Sequence, residues 1–205
     1  MCRLPRTDGW RRLTVLLLVL AAGWQLGAAA LIEAKAWLAP VLIERAWQHS
    51  VGRGGEPVKP WPWADTWPVA RLRVPGQRVE RLVLAGDSGN ALAFGPGHAG
   101  ASAPLGSAGL AVIGGHRDTH FAFLRRLLPG ARIELQLPDG TWRAYLVETI
   151  DVVDARAQAL PRLVGEERLL LVTCYPFDTL RSNGPLRYVV GARPEAGASL
   201  QRLSL

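Results

Sequence analysis

The pattern of apolar and polar residues divides the chain into two parts. From Leu13 to Ile32 the sequence LTVLLLVLAAGWQLGAAALI runs for 20 residues without a charged side chain. A helix rises about 1.5 Å per residue, so this length spans roughly 30 Å, the thickness of the hydrocarbon core of a bilayer. The pattern therefore predicts one transmembrane helix at residues 13–32.

The charges on the two sides of this helix predict its orientation. Four arginines lie within the first twelve residues, whereas Glu33 and Lys35 follow the helix. Positive charge holds the N-terminal end of such a helix in the cytoplasm. We expect residues 1–12 to be cytoplasmic, residues 13–32 to be an uncleaved signal anchor, and the remainder to be exported. A cleaved signal peptide is the alternative, because GAAA places small residues near a potential cleavage point.

A stem is expected between the helix and the folded domain. Pro40 interrupts the helical pattern, so we expect a broken helix around it. Residues 51–70 are rich in Gly, Pro and Trp, and three prolines within nine residues favour extended chain. The composition places a stem or linker at residues 33–60 and a folded domain at 61–205.

After the stem, the apolar pattern has a period of two, which is typical of strands with one buried face. The clearest feature is a hairpin at 131–155, in which an Asp-Gly pair supplies the tight turn. Two short helices are expected at 120–128 and 155–164, and a small-residue loop at 95–109. The predicted strand segments are residues 70–75, 77–86, 109–115, 131–155, 168–175 and 186–193. Many short strands and few helices predict an all-β barrel or sandwich.

The positive charge does not indicate nucleic-acid binding. The formal net charge is +7, but the residues from 51 onward carry 17 Arg and 1 Lys against 14 acidic side chains. Those arginines are scattered, apart from the pair Arg125 and Arg126. Because a nucleic-acid footprint needs clustered charge, we expect no nucleic-acid partner. We expect no cofactor either.

The two cysteines are predicted to lie on opposite sides of the membrane. Cys2 precedes the apolar segment and Cys174 lies in the exported part. Cys174 therefore has no expected disulfide partner, although disulfides are the usual state in an oxidising compartment. An unpaired cysteine there favours a reactive thiol, and a buried inert thiol remains the alternative.

Three residues with complementary chemistry lie at predicted strand ends. Cys174 ends RLLLVTC, His116 follows AVIGG, and Arg187 begins the next strand. A free thiol has a pKa of about 8.5, so a cysteine nucleophile needs a neighbouring imidazole and positive surroundings. An arginine cannot act as a base, but it can donate hydrogen bonds to an oxyanion. The three residue types suit acyl transfer, although the sequence does not show that they meet.

The segments AVIGGHRDTHF and LLLVTCYPF, with an arginine in GPLRYVVGA, closely resemble the signature segments of sortases. Sortases are membrane-anchored cysteine transpeptidases of bacteria. The resemblance covers roughly residues 60–193, in the family's order and spacing. PWPWADTWPVARL together with HRDTHF resembles a Gram-negative, proteobacterial subgroup.

The resemblance implies a fold, a reaction and a location. The fold is a closed β-barrel of about eight strands. Cys174 is the implied nucleophile, His116 the general acid and base, and Arg187 the clamp for substrate and oxyanion. The implied substrate is a protein with a C-terminal LPxTG-like sorting motif, cleaved through a thioacyl-enzyme and transferred to an amine acceptor. The domain would then face the periplasm from the inner membrane.

Three residues beside this trio are candidates for binding or supporting roles. Thr173 directly precedes the cysteine. Asp118 either orients His116 or caps the following turn. His120 stands four residues after His116, but HRDTH lacks the Glu of a zinc protease and follows a strand and Gly-Gly. We therefore expect His120 to pack beside the site or tune it, and we expect no metal.

Two other functions remain open from the sequence. A membrane-anchored cysteine hydrolase or peptidase would use the same trio with water as the acceptor. A non-enzymatic exported β-domain would instead bury Cys174 in an unreactive form.

Overall fold

The computed structural model of the chain describes residues 8–157, 165–179 and 184–200. The chain divides into two compact units, one ending at Val41 and the other beginning at Leu42. Helix α1, Asp8–Gly52, contains a segment Gly9–Ala30 whose mean hydropathy is 1.9 and of which no part is buried. That segment is long and apolar enough to cross a membrane. The limits predicted for stem and catalytic domain stay predictions.

Helix α1 continues through Pro40, so the break expected there is wrong. A proline inside a helix removes one backbone hydrogen bond and costs about 3 kcal/mol. Packing of the last helical turns offsets this cost, since Ile43, Trp47 and Ser50 are each at most 3% exposed. Ile43 packs with Leu84 of the barrel.

The remaining elements form a closed β-barrel with few helices. Its strands are β1 Pro68–Val74, β2 Val79–Ala85, β3 Gly97–His98, β4 Gly109–Gly114, β5 Arg132–Gln136, β6 Trp142–Asp154, β7 Glu167–Cys174 and β8 Leu186–Leu200. The strands follow the order β1-β2-β3-β4-β7-β8-β6-β5 around the barrel. Helix α2 is Gly89–Phe94, and two short 3-10 helices are Pro75–Gln77 and Ala122–Arg126. The barrel of eight strands confirms the expected fold.

The sequence pattern located seven of these strands. It missed β3 and α2, and β3 lies inside the expected loop 95–109. A strand of two residues has no measurable period, and β3 exists because Gly97 and His98 pair with β4. The helix expected at 120–128 is shorter and of the 3-10 type. The helix expected at 155–164 falls largely outside the described residues.

The core fills the inside of the barrel with alternate residues of each strand. Along β7 the burial alternates, so that Leu169, Leu171 and Thr173 are buried while the residues between them are partly exposed. Successive strand residues point to opposite faces. Cys174 therefore lies on the outer face, at the last position of β7.

Candidate active site

Cys174 and Arg187 are neighbours across the sheet. β7 and β8 are antiparallel, and their register pairs Cys174 with Arg187 and Thr173 with Tyr188. Directly paired residues point to the same face, with Cβ atoms about 4.5–5.5 Å apart. Both side chains are partly exposed. The thiol and the guanidinium therefore share the outer rim of the barrel, and Cys174 is a free cysteine.

The guanidinium of Arg187 is held by its own turn. Its Nη1 donates to the carbonyl oxygens of Gly184, at 2.7 Å, and Leu186, at 2.9 Å. A guanidinium has five N–H donors in one plane. Within the described ranges, the donors on Nε and Nη2 of Arg187 form no hydrogen bond. Two backbone acceptors thus fix the group while other donors remain for a substrate.

His116 lies beyond the end of β4, beside the end of β7. The amide of Gly115 donates to the carbonyl of Val172 at 3.1 Å, and the Thr173 hydroxyl donates to the carbonyl of Gly115 at 2.6 Å. The amide of Phe121 closes the turn by donating to the carbonyl of His116 at 2.9 Å. These bonds bring the backbone of His116 next to the residue that precedes Cys174.

Gly115 is required by close packing under this turn. A Cβ at position 115 would lie 2.8 Å from the ring of Phe121, which is fully buried in the core. Real Cβ atoms do not approach a ring so closely, and the ring has no room to move in a packed interior. Gly115 thus lets the chain leave the strand directly over the core.

The structure brings Cys174, His116 and Arg187 to one rim without a direct bond between them. Among the described residues, no hydrogen bond joins any two of these three side chains. The imidazole of His116 is exposed. Hydrogen bonds of active sites often tighten only when substrate binds, so this arrangement is compatible with catalysis.

The three supporting candidates occupy different places. Thr173 is 2% exposed, and its hydroxyl binds Gly115 inside the barrel rather than facing the outer rim. Asp118 is exposed. His120 is partly buried, and burial lowers its pKa, with the charges of Arg81 and His116 acting in the same direction. The roles of these residues in a reaction stay predictions.

The sequence analysis did not predict two features of the rim. Arg117 donates to the carbonyl of Thr179 at 2.7 Å and so links the segment after His116 to the segment after Cys174. Tyr175 stacks on Tyr188, and Phe177 meets Tyr188 edge to face at 5.1 Å. The clue to these aromatics was their position on both sides of the cysteine, in CYPF and LRYV.

The outer face of β7 and β8 continues from the rim to a separate cavity. Below the Cys174 pair, the register continues through Val172 and Val189 to Leu170 and Gly191. Leu170 and Gly191 line a cavity of about 250 Å³, together with Thr149 and with Arg168 in its ion pairs with Glu148 and Glu166. Cys174 lies four strand positions from Leu170, which is about 13 Å at about 3.3 Å per residue.

The described ranges contain no cluster of three or more His, Cys, Asp or Glu side chains arranged to hold a metal ion.

Comparison with known proteins gives one consistent result. A family model described as "Sortase domain" matches residues 72–195. Sortase D of Bacillus subtilis (strain 168) is 33% identical over 120 residues, which are 58% of this chain and 60% of that protein. The chain thus spans about three fifths of the length of this curated relative.

Solved structures show the same fold. Sortase C-1 from Actinomyces oris has a TM-score of 0.54 at 25% identity, and the match covers 62% of this chain and 72% of that one. A Clostridium perfringens sortase D5 transpeptidase has a TM-score of 0.57 at 20% identity, over 72% of this chain and 88% of that one. At 20% identity, the similarity to the Clostridium perfringens structure supports a shared fold and nothing more.

Proposed function

This chain belongs to the sortase family, and we propose on that premise that it is a cysteine transpeptidase. Its substrate is a protein that carries an LPxTG-like sorting signal near its C-terminus. The enzyme cleaves this signal through a thioacyl intermediate on Cys174 and transfers the acyl group to an amine. The observation that carries the proposal is the register pair Cys174 and Arg187, with the His116 turn bonded to the adjacent Thr173.

In the proposed first step, the Cys174 thiolate attacks the carbonyl carbon of the scissile Thr–Gly bond. The carbonyl oxygen becomes an oxyanion, and the Nε or Nη2 donors of Arg187 stabilise it. The protonated imidazole of His116 gives its proton to the departing amine as the C–N bond breaks. A thioester on Cys174 and a neutral imidazole result.

In the proposed second step, an incoming amine attacks the thioester carbonyl. Neutral His116 takes the proton from the attacking nitrogen, and Cys174 leaves as a thiolate when the C–S bond breaks. The enzyme returns to its starting protonation, and the product has a new amide bond. With water as the acceptor, the same steps give a carboxylic acid, and the enzyme acts as a hydrolase.

We propose that the acyl donor lies extended along the outer face of β7 and β8 below the rim. The four strand positions from Cys174 to Leu170 span about 13 Å, which corresponds to four extended residues such as LPxT. The cavity of about 250 Å³ at Leu170 and Gly191, which the ion-paired Arg168 also lines, lies at the far end of this face.

We further propose that residues 13–32 anchor the protein in the bacterial inner membrane, with the barrel in the periplasm. The apolar, unburied segment Gly9–Ala30 supports an anchor, and the arginines before it support this orientation. An anchor would hold the barrel near a membrane-bound client. The mass of the mature protein tests it, because a start near residue 30 would mean a cleaved signal peptide.

Product analysis tests the transpeptidase proposal against its nearest alternative. An LPxTG-like peptide is incubated with the full-length chain in detergent, with and without an added amine such as triglycine. Transpeptidation predicts an amide product that appears only with the amine. Free acid at the same rate under both conditions would indicate the hydrolase instead. Equal cleavage by Cys174→Ala would contradict both enzymes.

A further inference from the structure

Two arginines of the segment that follows β4 contact the segment that follows β7. Arg117 donates from Nη2 to the carbonyl of Thr179 at 2.7 Å. Arg125 lies 3.6 Å from the carboxylate of Asp178. The first segment carries His116 and the second begins directly after Cys174. The two contacts therefore connect the imidazole-bearing and thiol-bearing parts of the rim.

The two contacts differ in strength. Arg125 and Asp178 have 53% and 91% of their side chains exposed, and an exposed ion pair contributes little because water screens the two charges. Arg117 is partly buried, and its bond is short and carries a full charge on the donor. Charge-assisted hydrogen bonds are roughly twice as strong as neutral ones. Arg117 is therefore the main connection.

His116 depends on such a connection more than Cys174 or Arg187 does. The sheet register fixes the backbones of Cys174 and Arg187. His116 lies outside the sheet, and its exposed imidazole makes no hydrogen bond within the described ranges. Thr173 and Phe121 hold the backbone at Gly115 and His116 on the barrel side. The bond from Arg117 to Thr179 holds the next residue on the other side, five positions beyond Cys174.

We propose that Arg117 is a positioning residue that keeps His116 in reach of the substrate's leaving nitrogen at Cys174. The proposal rests on the proposed function, because it assigns His116 the proton transfer to that nitrogen. Without the Arg117 bond, only the weak, exposed pair of Arg125 and Asp178 connects the turn to the segment after Cys174 among the described residues. The imidazole would then sample positions away from the thiol, and the proton transfer would slow while substrate binding remained. Misplacement of a catalytic group by about 1 Å can cost on the order of a hundredfold in rate.

The test compares two acyl donors with different leaving groups. One is an LPxTG-like peptide, whose amine must be protonated as it leaves. The other is an LPxT p-nitrophenyl ester, whose phenolate leaves without help from an acid. We expect Arg117→Ala to lower kcat for the peptide about tenfold, with KM changed less than twofold. The single-turnover rate of p-nitrophenolate release, which reports acylation alone, should fall less than twofold, as it should in His116→Ala. Arg117→Lys should recover part of the rate with the peptide.

Arg126→Ala is the matched control, because Arg126 is exposed and makes no hydrogen bond or ion pair among the described residues. It should leave both rates unchanged. If Arg117→Ala lowers the rates with the peptide and with the ester by the same factor, the positioning role is wrong. The proposed transpeptidase function would not be contradicted by that result. Identical kinetics of Arg117→Ala and Arg126→Ala would also contradict the positioning role. If the wild type forms no acyl-enzyme with either donor, the proposed function is wrong and the positioning role falls with it.

Discussion

The candidate site has one half built on the sheet and one half built on a turn. Cys174 and Arg187 are adjacent because hydrogen bonds of β7 and β8 fix their register. His116 stands outside any strand, and three individual hydrogen bonds hold its turn, from Thr173, Phe121 and Arg117. A register error would move every side chain of a strand to the opposite face, so the first half is strongly specified. The second half depends on single contacts, so a single substitution can disturb it.

The difference matters because the two halves perform different steps. The sheet half presents the nucleophile and the donors for the oxyanion, which need a fixed geometry. The turn half presents the group that gives and takes a proton, and this group serves a leaving amine and then an incoming one. A substitution in one half should therefore affect a different kinetic quantity from a substitution in the other.

The largest effect is expected in the sheet half. Arg187→Lys keeps the positive charge but loses the planar fork, so one ammonium nitrogen has to replace the separate nitrogens that bind Gly184 and Leu186 and donate to an oxyanion. We expect kcat to fall about a hundredfold or more with both the peptide and the activated ester. Arg193→Lys, an exposed arginine of the same strand, is the control. If kcat fell with the peptide and not with the ester, Arg187 would act on the leaving group instead of the oxyanion, which would contradict its proposed role.

Thr173→Val removes the bond that joins the two halves. Valine has the shape of threonine but cannot donate to the carbonyl of Gly115. Because that carbonyl loses its partner, we expect the free energy of unfolding to fall by about 1–3 kcal/mol. The peptide rate should fall more than the ester rate. Urea unfolding measures the first effect, and Thr173→Ser should retain most of the stability. An unchanged unfolding midpoint in Thr173→Val would contradict this role.

Gly191→Ala acts on the sheet half alone, at the cavity. The added Cβ would lie 2.5 Å from Oγ1 of Thr149, so it clashes with Thr149, and the lining of the cavity must shift. We expect KM for the peptide to rise several-fold with little change in kcat. Thr149→Ala in the same chain removes the clash and should restore part of the affinity. A fall in kcat without a change in KM would argue against a peptide on this face of β7 and β8.

The smallest effect is expected in the turn half, at His120. Burial lowers the pKa of His120, the positive charges of Arg81 and His116 add to this, and Asp118 and the carbonyl of Leu92 oppose it. The folded state therefore binds a proton less readily than the unfolded state does. Stability should be constant above the ordinary histidine pKa of about 6.5 and should decrease as the pH falls below it.

Urea unfolding at pH 7.5 and pH 5.5 measures this contribution. His120→Gln should show a smaller loss of stability at pH 5.5 than the wild type. His49→Gln, at an exposed position in the last turn of α1, is the control and should behave as the wild type does. The same loss in His120→Gln and in the wild type would show that His120 does not contribute.

The sequence predicted the sheet half better than the turn half, for a physical reason. Strand periodicity placed Cys174 at a strand end and Arg187 at the start of the next strand, and the structure shows that the register of β7 and β8 brings them together. The contact of Arg117 with Thr179 joins residues 62 positions apart through two irregular segments, where no period exists to predict it. The carbonyl groups of Gly184 and Leu186 that accept from Arg187 also lie at a turn, where the sequence has no period that predicts the contact.

The failures elsewhere have the same origin. Helix α1 continues through Pro40 because residues after it pack on the barrel, and a local rule about proline does not include that packing. β3 forms because β2 and β4 offer partners to two residues of an otherwise irregular segment. In each case a tertiary contact decides the outcome.

The central claim is that Cys174 forms the acyl-enzyme. The full-length chain is mixed with an LPxTG-like peptide without an amine acceptor, quenched in acid and measured by intact-mass and peptide mass spectrometry. We predict an added mass equal to the peptide's acyl part, located on the peptide that contains Cys174, removed by hydroxylamine and missing in Cys174→Ala. An adduct of the same yield in Cys174→Ala, or one located on another residue, would contradict the account.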